Sequence, residues 1–126
     1  MTDLERVKID GYELKYINNQ TPKICMAAVK KNGLALQYVK EQTPEICLAA
    51  VKRNGWALRF VKKQTHKICL SAVKQYGWAL QYVKKQTRKV CVAAIKQDPP
   101  VIKFITNPVF LNAIRKQHPE LIAGLL

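Results

Sequence analysis

Apolar residues fall along this chain in short clusters separated by polar punctuation, and the clusters return at a fixed step. Ile24, Cys25, Ala28 and Val29 have the spacing that places four side chains on one face of a helix, and Leu36 and Val39 do the same a few residues later. The punctuation between them is equally regular. Thr21, Thr43, Thr65 and Thr87 are 22 residues apart, as are Cys25, Cys47, Cys69 and Cys91, Gly11, Gly33, Gly55 and Gly77, and Leu14, Leu36, Leu58 and Leu80. A period of this length marks a repeat architecture in which each copy is one supersecondary unit.

Each copy carries its own helix signals. The Thr hydroxyl can cap the free N–H groups of a first turn. Pro22 and Pro44 follow at the first helical position, where a missing N–H costs nothing. The pattern predicts a helix A from about Pro22 to Asn32, ended by Gly33 in a left-handed conformation, and a helix B from about Leu34 to Lys40. Helices of this length, roughly 10–17 Å at ~1.5 Å per residue, are marginal alone and must bury their apolar faces against neighbouring copies. The expected fold is therefore all-α: a short α-solenoid of about four two-helix repeats with atypical ends.

The ends depart from the pattern as the termini of a stack should. Residues 1–20 read as an N-terminal cap and partial repeat, with Thr2-Asp3-Leu4-Glu5 as a capping box, a short helix ending near Gly11 and a helix B over Tyr12–Asn18. Residues 21–98 are the core repeats. Over residues 99–126 the Gly-Trp position becomes Pro99-Pro100, Val101–Ile105 keeps the helix B pattern, and Thr106-Asn107-Pro108 opens a degenerate helix A containing Ala113-Ile114-Arg115. Leu121–Leu126 reads as a capping turn, with a contact to a partner or second subunit as the rival reading.

The phrase A-L-x-x-V-x-x-Q-T-x-x-[IV]-C-x-A-A-V-K-x-x-G, which covers about residues 10–105, resembles the tandem repeats of domain of unknown function family 4116. The resemblance implies an α-helical repeat fold and an origin such as amoebal giant viruses or protist-associated bacteria, hence a host-cell cytoplasm or a virion. It implies no activity and no catalytic or binding residues. The last 20 residues lie outside the pattern.

Composition and charge then narrow the function classes. In 126 residues, 48% hydrophobic content suffices for one continuous core, and 22 Lys and Arg against 8 Asp and Glu give a formal net charge of +14. That excess favours polyanions or acidic protein surfaces as partners. Residues 1–20 carry Asp3, Glu5, Arg6, Lys8, Asp10 and Glu13 without an apolar core of a secretion signal, and no uncharged apolar run approaches the 18 residues of a membrane span. A soluble, intracellular protein is expected.

The four cysteines invite a metal or disulfide reading, but equivalent positions in stacked helices should lie roughly 8–10 Å apart. That exceeds the ~7 Å between Cα atoms that a disulfide spans and cannot gather sulfurs ~2.3 Å from one zinc. Small apolar packers are expected, with no metal and no other cofactor. Residues that break the repeat, Glu41, Glu45, His66, Ser71 and Tyr76, assemble no nucleophile, base and orienting group, so no enzyme is expected. The aromatic column Tyr16, Tyr38, Phe60, Tyr82 and Phe104 reads as half-buried packing rather than a stacking platform for bases. Trp56 and Trp78 read as staples between turns or, alternatively, as partner contacts.

Lysines in the last turn of helix A, Lys30, Lys52, Lys74 and Lys96, complement the helix dipole, whereas Lys23, Lys67, Arg88 and Lys89 lie in first turns where the dipole disfavours them. With Lys62, Lys63, Lys84, Lys85 and His66, the cations Lys67, Arg88 and Lys89 form a candidate polyanion-binding ridge. The leading expectation is a non-enzymatic scaffold that binds an acidic protein surface or larger assembly. The alternative is sequence-independent nucleic-acid binding or packaging through phosphate contacts. A solvated lysine-rich surface is the bland rival, and self-association through the chain ends is left open.

Overall fold

The computed structural model describes residues 1–125. Among these there is no strand, and the fold is a short α-solenoid in which an α-helix and a 3-10 helix alternate five times. The α-helices are α1 (Asp3–Ile9), α2 (Pro22–Lys31), α3 (Pro44–Arg53), α4 (His66–Gln75) and α5 (Arg88–Gln97). The 3-10 helices are η1 (Gly11–Tyr16), η2 (Gly33–Tyr38), η3 (Gly55–Phe60), η4 (Gly77–Tyr82) and η5 (Pro99–Phe104). Two further helices, α6 (Pro108–Gln117) and α7 (Pro119–Ile122), close the C-terminal end. Leu126 of the anticipated terminal turn lies outside the described residues.

The α-helices form one layer and the 3-10 helices the other, each packing on its equivalents in adjacent units and across on its own pair. The expected caps are present. Thr21, Thr43, Thr65 and Thr87 each accept a hydrogen bond at Oγ from the N–H three residues on, at 3.2 Å, and Thr2 with Glu5 forms a reciprocal capping box. Between the layers lie Ala28, Val29, Ala35 and Leu36, with Ala50, Val51, Ala57 and Leu58 and then Ala72, Val73, Ala79 and Leu80 in the next two units, all without exposed surface. Burying a Leu such as Leu58 stabilises the fold by roughly 1.5–3 kcal/mol. Short helices therefore persist through stacking rather than propensity.

Two local expectations are corrected. Helix B is a 3-10 helix of six residues, Gly33–Tyr38 rather than Leu34–Lys40, and likewise Gly11–Tyr16 at the N-terminus and Pro99–Phe104 near the other end. The reason is the three-residue step of Gly33, Leu36 and Val39, all buried, which a 3-10 helix stacks one above another. The bond from the Val39 N–H to the Leu36 carbonyl, 3.1 Å, continues that i to i+3 pattern.

The repeated glycine is also not a left-handed helix end, because Gly124 alone has positive φ among the described residues. Each repeat glycine instead opens a 3-10 helix against the next unit. A Cβ on Gly55 would lie 2.6 Å from the Ala72 carbonyl oxygen, so the missing side chain is what lets adjacent units approach.

Candidate functional site

The bend between each 3-10 helix and the next α-helix is organised by a glutamine. Gln64 donates from Nε2 to the Tyr82 carbonyl at 2.7 Å, while its Oε1 accepts from the Lys84 N–H at 3.0 Å and from the Cys69 thiol at 3.4 Å. Gln20, Gln42 and Gln86 repeat the arrangement. One amide thus ties its own unit to the next and fixes the bend on which the lysines sit. The sequence signal was a polar column at a 22-residue step directly before the capping Thr, credited there to the Thr alone.

The cysteines are free and buried, each spaced one unit from the next in the chain and each hydrogen-bonded to its glutamine. Burial pushes every thiol above its ordinary value, Cys91 to about 11. Desolvation disfavours the thiolate, so these groups are poor nucleophiles and poor metal ligands at neutral pH. Among the described residues no three His, Cys, Asp or Glu side chains gather in a way that could hold a metal ion.

The candidate ridge resolves into two surfaces. Lys62, Lys63, His66, Lys84 and Lys85 line one groove of about 510 Å³ along the bends, floored by Gln64, Thr65, Cys69, Thr87 and Val90. Arg88 and Lys89 belong instead to the exposed face of the α-layer. There, with Lys74, Lys96, Gln97, Gln117 and His118, they surround a furrow of about 760 Å³ with Leu70, Val92 and Ala93 in its floor. Lys67 lies in the first turn of α4, exposed. The divergence has a simple cause: the lysine pairs occupy the bend before the capping Thr, whereas Arg88 and Lys89 lie on the helix after it.

From residue 46 to residue 97 the chain contains no Asp or Glu. Among the described residues the Lys and Arg ion pairs are those of Arg6 with Asp3 and Glu13, both at 3.3 Å, and the His118 imidazole lies 3.5 Å from the Glu120 carboxylate. The lysines of both surfaces and Arg88 therefore make no ion pair within the described residues. Their mutual repulsion is a cost that a bound anion would remove.

Trp56 and Trp78 lie in the other layer and link successive units. Trp56 packs edge-on to Tyr82 at a centroid distance of 5.3 Å and contacts Tyr76 at 5.4 Å, and Trp78 packs on Phe104 at 5.6 Å. The Trp78 indole N–H donates to the Asp98 carboxylate, and the Lys103 ammonium sits 4.9 Å from the Trp78 ring centroid. In earlier units the position of Tyr76 and Asp98 holds Asn32 or Asn54, whose side chains cap the 3-10 helix. Where that cap is replaced, the substituted side chain instead holds the tryptophan of the preceding unit.

No helix of the described residues is long and apolar enough to cross a membrane. No curated protein and no solved structure matches the chain. The model of one family does match, Domain of unknown function (DUF4116), and it does so twice in tandem, over residues 21–66 and 66–108, each match spanning two of the units described above. The chain belongs to the DUF4116 family.

Proposed function

We propose that this chain is a non-catalytic repeat scaffold that holds an acidic macromolecular partner against its lysine-rich surfaces. The observation that carries the reading is the stretch of residues 46–97, which supplies cations to both a bend groove and a helix-face furrow and contains no acidic side chain. Charge of one sign along walls of low dielectric raises the local concentration of an oppositely charged partner and speeds its association. The scarcity of Arg relative to Lys fits point-charge attraction better than bidentate recognition of single carboxylates or phosphates.

A second reading rests on the bend groove alone. Lys62, Lys63, Lys84 and Lys85, joined by His66, surround a floor whose polar groups are Gln64, Thr65 and Thr87. Such a groove suits the phosphates of a nucleic-acid backbone, contacted without reading sequence.

Binding of labelled duplex DNA, single-stranded RNA and a glutamate-rich peptide, measured by fluorescence anisotropy from 50 to 200 mM salt, separates the two. Retained peptide binding at the higher salt supports the acidic-protein reading. Nucleic-acid binding that falls steeply with salt, and is lost on changing Lys62, Lys63, Lys84 and Lys85 to Glu, supports the second. Absence of binding to all three probes at 50 mM salt overturns both.

A further inference from the structure

We propose that the outer face of α4 and α5 is a docking furrow for an acidic amphipathic helix of a partner protein, an assignment that rests on the acidic-partner reading and names its site. Along α5, Lys89, Val92, Ala93 and Lys96 stand at i, i+3, i+4 and i+7, so they share one exposed face. The two central residues are half-buried and apolar, and the two outer ones are exposed cations. In α4 the same places hold Lys67, Leu70, Ser71 and Lys74.

The furrow lies where the stack changes. Helices α1 to α5 pack closely on one another, whereas α6 meets α5 only slightly and leaves its flank uncovered, with Gln117 and His118 forming the far wall. The resulting space of about 760 Å³ has an apolar floor and a basic rim supplied by Lys74, Arg88, Lys89 and Lys96.

Charge complementarity selects the occupant. The two cations of the α5 face are separated by seven residues, roughly 10 Å along the helix. A facing helix laid alongside matches that interval with acidic, apolar, apolar and acidic side chains at its own i, i+3, i+4 and i+7. An extended strand presents same-side residues every ~7 Å and falls out of register with both ends. Nucleic acid would satisfy the rim but leave the Leu70, Val92 and Ala93 floor uncovered.

The furrow between α1 and α2 repeats the spacing with Lys23, Met26, Ala27 and Lys30 but is smaller, about 520 Å³, and the furrow between α2 and α3 is the internal contrast. Its volume is about 490 Å³, its floor holds Met26, Leu48 and Ala49, and its rim has Lys30, Lys52 and Arg53, but Glu45 stands where α5 has Lys89. An acidic helix would meet a like charge at that end of its i, i+3, i+4, i+7 face.

The test uses the full chain and two labelled peptides of identical composition, one repeating Glu-x-x-Leu-Leu-x-x-Glu on a helix and one with the same residues scrambled, followed by anisotropy at 150 mM salt. The patterned peptide is expected to bind at least tenfold more tightly than the scrambled one, and Lys89→Glu with Lys96→Glu to weaken it at least tenfold. Both lysines are exposed, and an unchanged circular dichroism spectrum and Tm check that the variant remains folded. Changing Lys62, Lys63, Lys84 and Lys85 to Glu should alter that binding less than threefold. Equal binding of both peptides, or loss only in the bend variant, overturns the furrow assignment while leaving the acidic-partner reading standing. Failure of both peptides to bind while duplex DNA binds overturns the two together.

Discussion

Two bends of the solenoid have the same skeleton and different surfaces. Between the first and second units, Asn18, Gln20, Lys40 and Glu41 border a groove of about 230 Å³ that contains Cys25. Between the third and fourth, Lys62, Lys63, Lys84 and Lys85 border one of about 510 Å³ that contains Cys69. Gln20 and Gln64 make the same bonds in each: to the Tyr38 and Tyr82 carbonyls at 2.8 and 2.7 Å, and from the Lys40 and Lys84 N–H groups at 3.0 Å. The contrast separates what the repeat needs to fold from what varies on its surface. Glutamine, threonine and cysteine build the bend, and the charge around it is free to change without disturbing them.

The largest expected effect tests the shared skeleton. Gln64→Ala removes the partner of the Tyr82 carbonyl and of the Lys84 N–H, a loss of about 1–3 kcal/mol. Gln20→Ala removes the matching bonds of the other bend and should cost a similar amount despite the different charges around it. Denaturant unfolding of the two variants measures both. If Gln64→Ala were harmless while Gln20→Ala was costly, lysine repulsion in the richer groove, and not the skeleton, would control its stability.

A smaller effect tests the surface difference. Glu41 and Glu45 flank the cap of the third unit, at positions where the next two units carry Lys63 and Lys67, then Lys85 and Lys89. Replacing both with Lys extends the cationic surfaces by one unit. The double variant should bind its polyanionic or acidic probe about tenfold more tightly at 50 mM salt, with a steeper salt dependence. Anisotropy with the probes described above reads the change, and unaltered affinity would confine the binding surface to the fourth and later units.

The sequence made the repeat length, the threonine caps, the capping box and the core columns legible, because each depends on residues close together in the chain. The 3-10 character of helix B was harder to read, since the step from Leu36 to Val39 fits a 3-10 helix and an α-helix alike until the burial of Gly33 completes the stripe. The role of the repeat glycine depends on the carbonyl of the following unit, and that of the glutamine on a carbonyl 18 residues away. Neither is a local property. Which lysines share a surface likewise depends on how the bend turns: Lys84 and Lys85 face one groove and Arg88 and Lys89 another, although only the glutamine and the capping threonine stand between the pairs.

The smallest effect concerns the thiols inside the same two bends. Cys25 and Cys69 are almost equally buried, at 3% and 4% exposure, and burial raises both above their ordinary value. A raised value keeps the folded thiol protonated, so stability from the buried cysteines is complete below the ordinary value of 9.0 and is lost as pH rises through the folded-state values, about 11 for Cys91. In the same range, reaction with thiol reagents should accelerate. Single-cysteine variants that retain only Cys25 or only Cys69 should therefore react slowly and at comparable rates with a neutral reagent at pH 8. With a dianionic disulfide reagent they should differ, because the four lysines around Cys69 concentrate the anion whereas Glu41 offsets Lys40 beside Cys25. A ratio of roughly three- to tenfold at low salt, collapsing toward one at 500 mM, is the expected signature. Equal rates with the anionic reagent at low salt would mean that the lysines project away from the groove they border, and would remove the electrostatic basis for distinguishing the two bends.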